Sequence, residues 1–150
     1  MQGRQPLIPP TILIVEDSPD DAMIVRMTFE ETGIHNPLVL LEDGEQAIDY
    51  LLGRRQYADR RKHPLPLLMI LDLNMPRFTG FQVLEAAAHT LQAEQIPVVV
   101  LSVSDSPRDV ARAQKLGAAK VLQKPIDPGM LLRLISEITD LGLLLIRKPD

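Results

Sequence analysis

The stretch Leu65–Pro66–Leu67–Leu68–Met69–Ile70–Leu71–Asp72–Leu73–Asn74–Met75–Pro76 decides how the chain reads. From Leu67 to Leu71 it is an unbroken apolar run, bounded by Pro66 and Pro76. A run that short predicts a strand buried on both faces. It stops on a carboxylate. An Asp directly after a buried parallel strand lies at the carboxyl edge of the sheet, where open α/β sheets bind ligands. Asp is also a common turn residue, so this segment alone leaves function and turn evenly matched. The other strand ends decide between them.

Upstream, Thr11–Val15 (TILIV) is a second buried strand, and it ends on Glu16–Asp17. Ser18–Pro19–Asp20–Asp21 then supplies an N-cap serine, a proline suited to the first helical position and an acid completing a capping-box-like pattern. A helix follows to about Thr32, where Gly33 stops it. Leu38–Leu41 is a short strand, and Glu42–Asp43–Gly44 leads into a helix with Ala47, Ile48, Leu51 and Leu52 on one face. Gly53 to Pro66 is a polar, Arg-rich connection of unusual length.

Downstream, Thr79–Gly80 opens a helix with a stripe of Phe81, Leu84, Ala88 and Leu91. Pro97–Leu101 is a fourth buried strand, ending on Ser102. Ser106–Pro107–Arg108–Asp109 repeats the earlier cap pattern and predicts a helix to about Leu116–Gly117. Lys120–Leu122 is a fifth strand, ending at Lys124–Pro125. Asp127–Pro128 caps a last helix with Leu131, Leu132, Ile135 and Ile138 facing inward. Strand and helix thus alternate five times, and the strands are too apolar to have a wet face. That implies an α/β fold, a parallel sheet with helices on both faces. Five strands fit the flavodoxin-like doubly wound order 2-1-3-4-5, whose switch point lies between strands 1 and 3. Glu16, Asp17 and Asp72 are expected to meet there.

Composition narrows the class. The chain has 150 residues, 45% hydrophobic and 24% charged, as in an ordinary globular domain. A net charge of −4 argues against general nucleic-acid affinity, despite basic clusters at Arg54–Arg55 and Arg60–Arg61–Lys62. The absence of cysteine excludes disulfides and thiolate chemistry. No signal peptide is visible and no apolar run is long enough to span a bilayer. The expectation is a cytoplasmic protein that binds neither DNA nor membrane. Residues 1–10 read as a mobile arm, residues 11–140 as one domain and residues 141–150 as an apolar tail.

Three carboxylates in one crevice repel one another, and a hard divalent cation such as Mg²⁺ removes the conflict. The main-chain carbonyl of Asn74 is a further candidate ligand, and Lys124 adds positive charge. Such a site is built to receive an anion. Asp72 is the candidate nucleophile, since carboxylates form acyl phosphates. Lys124 and the Ser102 hydroxyl are placed to hold phosphoryl oxygens. Taken singly, each has a plainer reading: Glu16 and Asp17 as a solvated pair, Ser102 as a strand-end hydroxyl, Lys124 as a surface lysine. Asp20 and Asp21 read as helix-start acids, and His35, His63 and His89 as bystanders. The arrangement carries the argument, because four of five strands end on a suitable polar group.

Val15–Glu16–Asp17, Leu71–Asp72–Leu73–Asn74–Met75–Pro76, Thr79–Gly80, Ser102 and Lys124–Pro125 together resemble the receiver domain of bacterial response regulators. The likeness covers roughly Thr11 to Ile138. It implies that Asp72 accepts a phosphoryl group from a sensor histidine kinase in a Mg²⁺-dependent reaction, as a switch with only slow autodephosphorylation. It further implies Asp17 as a direct metal ligand, Glu16 acting through water, Asn74 ligating through its main-chain oxygen, and Ser102 and Lys124 sensing the phosphoryl group. The Lys124–Pro125 bond is usually cis in that family. One departure stands out: Val121 occupies the fifth-strand position, three before the lysine, where receivers often carry Tyr or Phe. Output then depends more on the fourth helix or on subunit pairing. The long Gly53–Pro66 connection and the layout are similar to the single-domain regulators that serve bacterial phytochromes, which implies a phytochrome kinase as partner.

Leu141–Gly142–Leu143–Leu144–Leu145–Ile146 is too apolar for a free end. It packs on its own core or covers a second subunit, and the reading favours a C₂ homodimer through the last helix and tail. Two other functions compete with this reading. A haloacid-dehalogenase-type enzyme needs a second Asp as general acid where this chain has Asn74. A flavin or nucleotide binder needs a phosphate loop the sequence lacks, and the chain is only 3% aromatic.

Overall fold

Each apolar run forms its strand. β1 (Ile12–Val15), β2 (Leu38–Leu41), β3 (Leu68–Asp72), β4 (Val98–Ser102) and β5 (Lys120–Gln123) pair in parallel, in the order β2-β1-β3-β4-β5. Between and after them run α1 (Pro19–Glu31), α2 (Gly44–Leu52), α3 (Gly80–Ala93), α4 (Pro107–Lys115) and α5 (Pro128–Thr139). The computed structural model describes residues 10–104 and 106–139. The expected tail over 141–150, and the expected arm apart from Pro10, lie outside the described residues.

Side chains alternate across a strand, so each central strand feeds two cores. Leu13, Val15, Met69, Leu71, Val98 and Val100 pack on the α2 and α3 side, with Ala113 of α4. Ile12, Ile14, Leu68, Ile70, Val99 and Leu101 pack on the other side, with Val25 and Phe29 of α1 and Leu131, Leu134, Ile135 and Ile138 of α5. This double coverage is why β1, β3 and β4 are apolar at nearly every position. The edge strands differ from expectation. β2 and β5 are only partly covered, and Leu40 is 38% exposed, because an edge strand has one neighbour and the helices lean toward the centre.

Two helical faces are turned slightly from the expected ones. In α5 Leu134 is buried and Leu132 only half-buried, so the inward set 131, 134, 135, 138 follows strict helical spacing. In α3 the buried stripe is Val83, Leu84, Ala87 and Leu91, while Phe81 and Ala88 are half-buried.

The polar connection after α2 is more ordered than its composition suggests. It contains a 3-10 turn, Arg55–Tyr57, whose Tyr57 is buried. The Arg60 guanidinium donates to the carbonyls of Tyr50 (2.7 Å), Leu51 (2.9 Å) and His63 (3.2 Å), capping the carboxyl end of α2. His63 is not a bystander in a polar setting: its ring meets those of Tyr57 at 5.1 Å and Tyr50 at 5.9 Å, edge to face. His35 and His89 are exposed.

Register positions the functional end. Val15 pairs with Leu71, so Glu16 follows on one strand as Asp72 follows on the next. Asp72 pairs with Leu101 and Ser102 with Gln123, which brings Ser102 and Lys124 to the same edge.

Candidate functional site

Glu16, Asp17 and Asp72 each offer a carboxylate oxygen, and these lie within 4.8 Å of one another. Glu16 and Asp72 are buried, at 4% exposure each, whereas Asp17 is exposed. The Lys124 ammonium stands against the buried pair, 2.7 Å from Glu16 Oε1 and 3.3 Å from Asp72 Oδ1. It also lies 3.1 Å from Asp21 Oδ2.

Backbone groups hold the acids in place. The Ser18 N–H points at Glu16 Oε2 (3.4 Å), and the Asn74 N–H donates to Asp72 Oδ1 (3.2 Å). The loop after β3 turns back so tightly that Gly80 N–H donates to Leu73 O at 3.1 Å. A Cβ on Gly80 would sit 2.8 Å from the Asp72 carbonyl and 2.9 Å from Leu73 Cα, so only glycine lets α3 start beneath the acid. Thr79 caps that helix with a capping box completed by Gln82. Arg77 in the same loop has φ +66°, a left-handed conformation that costs a non-glycine residue about 1 kcal/mol. Lys124–Pro125 is a cis peptide.

The far side of the crevice carries hydroxyls. Ser102 is 1% exposed, and its Oγ accepts from Ser104 N–H at 3.1 Å. Ser104 Oγ in turn accepts from Ser106 N–H at 3.0 Å. Asn74 Oδ1 lies 3.5 Å from Val103 N and links the loops after β3 and β4.

The electrostatics follow from burial. Burial, then a hydrogen bond to Asp72, push the Glu16 carboxyl up to about 7, against the opposing pull of Lys124. Burial also opposes the charge on Lys124, yet its hydrogen bond to Glu16 and the charge of Asp72 outweigh it and hold the ammonium protonated. The Glu16 carboxyl keeps its proton near neutrality chiefly because it is buried, and the neighbouring Asp72 adds to the effect. An all-oxygen donor set is what a hard divalent cation takes.

All six residues singled out in the sequence lie on this one edge. Glu16, Asp17, Asp72 and Lys124 are brought into contact, while Asn74 and Ser102 line its loops. Asp21 is the helix-start acid expected, and does more. Besides donating its N–H to the Ser18 cap (3.3 Å), it turns its carboxylate to Lys124. A carboxylate three residues into a helix is so common that sequence offered no signal for this. The second cap pattern also departs from expectation, since Ser106 makes no side-chain cap bond.

With this geometry in view, comparison with known proteins is decisive. Residues 12–136 match the response regulator receiver domain. The chain belongs to the response regulator receiver family. Among curated relatives, a probable methanogenesis regulatory protein, FilR2 of Methanothrix harundinacea, is 34% identical across 99% of this chain and 92% of its own. Response regulator Rcp1 of Synechocystis is 31% identical, covering 94% of both chains. The Mn²⁺-bound form of Rcp1 superposes with a TM-score of 0.71 over 95% of this chain and 100% of that one, at 31% identity. The bacteriophytochrome response regulator AtBRR gives 0.76 at 30% identity, over 97% of this chain and 100% of that one. The chain is therefore a two-component response regulator, a phosphoacceptor switch that takes its phosphoryl group from a histidine kinase, and its three acids form a cluster that could hold a divalent cation. No helix among the described residues is long and apolar enough to cross a membrane.

Proposed function

We propose that Asp72 accepts the phosphoryl group, from a phosphohistidine, with Mg²⁺ held by Glu16, Asp17, Asp72 and the main-chain oxygen of Asn74. One Asp72 carboxylate oxygen attacks the phosphorus, the P–N bond breaks, and its electron pair returns to the imidazole nitrogen. Bound Mg²⁺ supplies positive charge for the phosphoryl oxygens and for the three crowded carboxylates. Asp17 would ligate the ion directly and Glu16 would hold it through water. Lys124 donates to one phosphoryl oxygen and Ser102 to another. Slow attack of water on the acyl phosphate releases inorganic phosphate and restores Asp72. The observation that carries this reading is the meeting of three acidic oxygens within 4.8 Å, with Lys124 Nζ 3.3 Å from Asp72.

The kinase docks on α1. Its Met23, Ile24 and Met27 are exposed at 53%, 46% and 50%, an unusual apolar display beside the acidic crevice. The likeness to AtBRR and Rcp1 supports a phytochrome as that kinase. The receiver proper is residues 11–140, preceded by the 1–10 arm, and it works in the cytoplasm. The apolar segment 141–150, with α5, forms a C₂ homodimer contact. Val121, half-buried at the usual aromatic position, leaves output to α4 and to pairing.

Incubation with a phosphorylated phytochrome-type kinase and Mg²⁺ tests the assignment. Wild type takes up label and Asp72→Asn takes up none; label on Asp72→Asn at the wild-type rate overturns it. Met27→Asp is expected to slow transfer from the kinase roughly tenfold while leaving uptake from acetyl phosphate unchanged. A fall in mass by light scattering on removal of 143–150 checks the dimer.

A further inference from the structure

An ammonium group has three N–H donors and rotates freely about its last bond. In this structure Lys124 Nζ faces three acceptors: Glu16 Oε1 at 2.7 Å, Asp21 Oδ2 at 3.1 Å and Asp72 Oδ1 at 3.3 Å. They come from three separate segments: the end of β1, the first turn of α1 and the end of β3. The two nearer contacts are hydrogen bonds, one to the Glu16 side chain, 2% exposed, and one to the Asp21 carboxylate, 42% exposed. They hold the ammonium in ionic contact with Asp72 and leave its third N–H for an incoming acceptor.

We propose that Asp21 is a positioning residue for phosphotransfer: together with Glu16 it aims the third Lys124 proton at the phosphoryl oxygens on Asp72. This rests on the reading of Asp72 as acceptor. Phosphorylation leaves Glu16 and Asp21 in place and turns one Asp72 oxygen into the bridging oxygen of an acyl phosphate, while the phosphoryl oxygens arrive just beyond it. The third N–H then takes a phosphoryl oxygen with little movement of the lysine. Without Asp21 the ammonium keeps one fixed partner and swings about it. A pocket of about 300 Å³, lined by Ile24, Val103, Pro125 and Ile126 as well as Asp21 and Lys124, opens beside this pair and gives it room to swing. Asp21 lies outside the cluster of carboxylates able to share a metal ion, so its effect is on the lysine and not on the cation.

The test uses acetyl phosphate and Mg²⁺ with the full chain, which removes kinase docking from the readout. In that reaction an Asp72 oxygen attacks phosphorus and acetate departs with the electron pair of the broken P–O bond. Asp21→Ala is expected to lower the rate of uptake roughly fivefold, the size of a half-exposed charged hydrogen bond. Asp21→Asn, whose amide oxygen still accepts from the ammonium, is expected to recover most of it. Mg²⁺ affinity by calorimetry is expected to change less than about twofold in both, because no ligand is removed. Wild-type uptake by Asp21→Ala, with Asp72→Asn silent, overturns the proposal and leaves Asp72 standing. Label on Asp72→Asn overturns the underlying assignment instead. Equal loss in Asp21→Ala and Asp21→Asn, with a matching fall in Mg²⁺ affinity, also overturns it, since that pattern belongs to a metal ligand.

Discussion

The same short pattern, Ser-Pro-x-Asp, begins two helices on opposite flanks of the site, and the two starts behave differently. At Ser18–Pro19–Asp20–Asp21 the serine hydroxyl accepts from Asp21 N–H, and the Asp21 carboxylate reaches Lys124. At Ser106–Pro107–Arg108–Asp109 the serine makes no side-chain cap bond. The flanks differ in kind as well. The α1 flank is charged, with Glu16, Asp17, Asp21 and Lys124, while the α4 flank carries the hydroxyls of Ser102, Ser104 and Ser106. The α1 helix buries Val25, Thr28 and Phe29, whereas α4 buries only Ala113. A cap pattern sets where a helix starts; what the helix is fastened to is set by its buried face and by the charges it meets. The lightly fastened flank is the one free to move when the site changes charge.

The largest effect expected to sharpen this contrast is in the core. Phe29→Ala should lower unfolding free energy by about 3–5 kcal/mol, because it leaves a cavity under α1. Ala113→Gly in α4 should cost about 1 kcal/mol, the helix-propensity difference. Denaturant titration measures both, and equal losses would break the comparison.

The second effect is proton-linked and belongs to the charged flank. The Glu16 carboxyl is raised in the folded protein from 4.5 to about 7. Its proton therefore favours folding fully below about pH 4.5, and this contribution is lost as pH rises from there through about 7. At 1.36 kcal/mol per unit, the metal-free protein should lose on the order of 2–3 kcal/mol across that window relative to Glu16→Gln. A saturating divalent cation should reverse the loss at pH 8, since it replaces the proton. Thermal melts at pH 4.5 and 8, with chelator and with Mg²⁺, read the difference; no difference from Glu16→Gln would mean that burial does not raise the Glu16 carboxyl.

The smallest effect sets the two caps side by side. Ser18→Ala should cost about 1 kcal/mol and Ser106→Ala only a few tenths, because only the first serine makes its cap bond. Equal costs would show that the two starts are alike after all.

Much of this molecule is readable from residue order, and specific residues show where reading stops. The strand from Leu68 to Asp72 is a continuous apolar run because both faces are covered, so run length alone marks it as central. The α5 face differs from expectation at one member, Leu134 in place of Leu132, because several leucines close together make a helical stripe ambiguous until the sheet beneath is known. Arg60 looks like one more basic loop residue, yet it caps three carbonyls that sequence does not show converging. Asp21 reads correctly as a helix-start acid, but its contact with Lys124 does not show, because that partner lies 103 residues away.

The sequence by itself determined the alternation of strand and helix, the strand order, and which polar groups end which strand, since these depend on local apolar patterning and on the near-obligatory hand of parallel crossovers. Only the tertiary structure decided which of those groups touch. Contact distances and shared protons arise when separate segments are packed to within a few ångströms, and burial then sets the strength of each charge. The Lys124 ammonium, held among Glu16, Asp21 and Asp72, is a feature of packing alone.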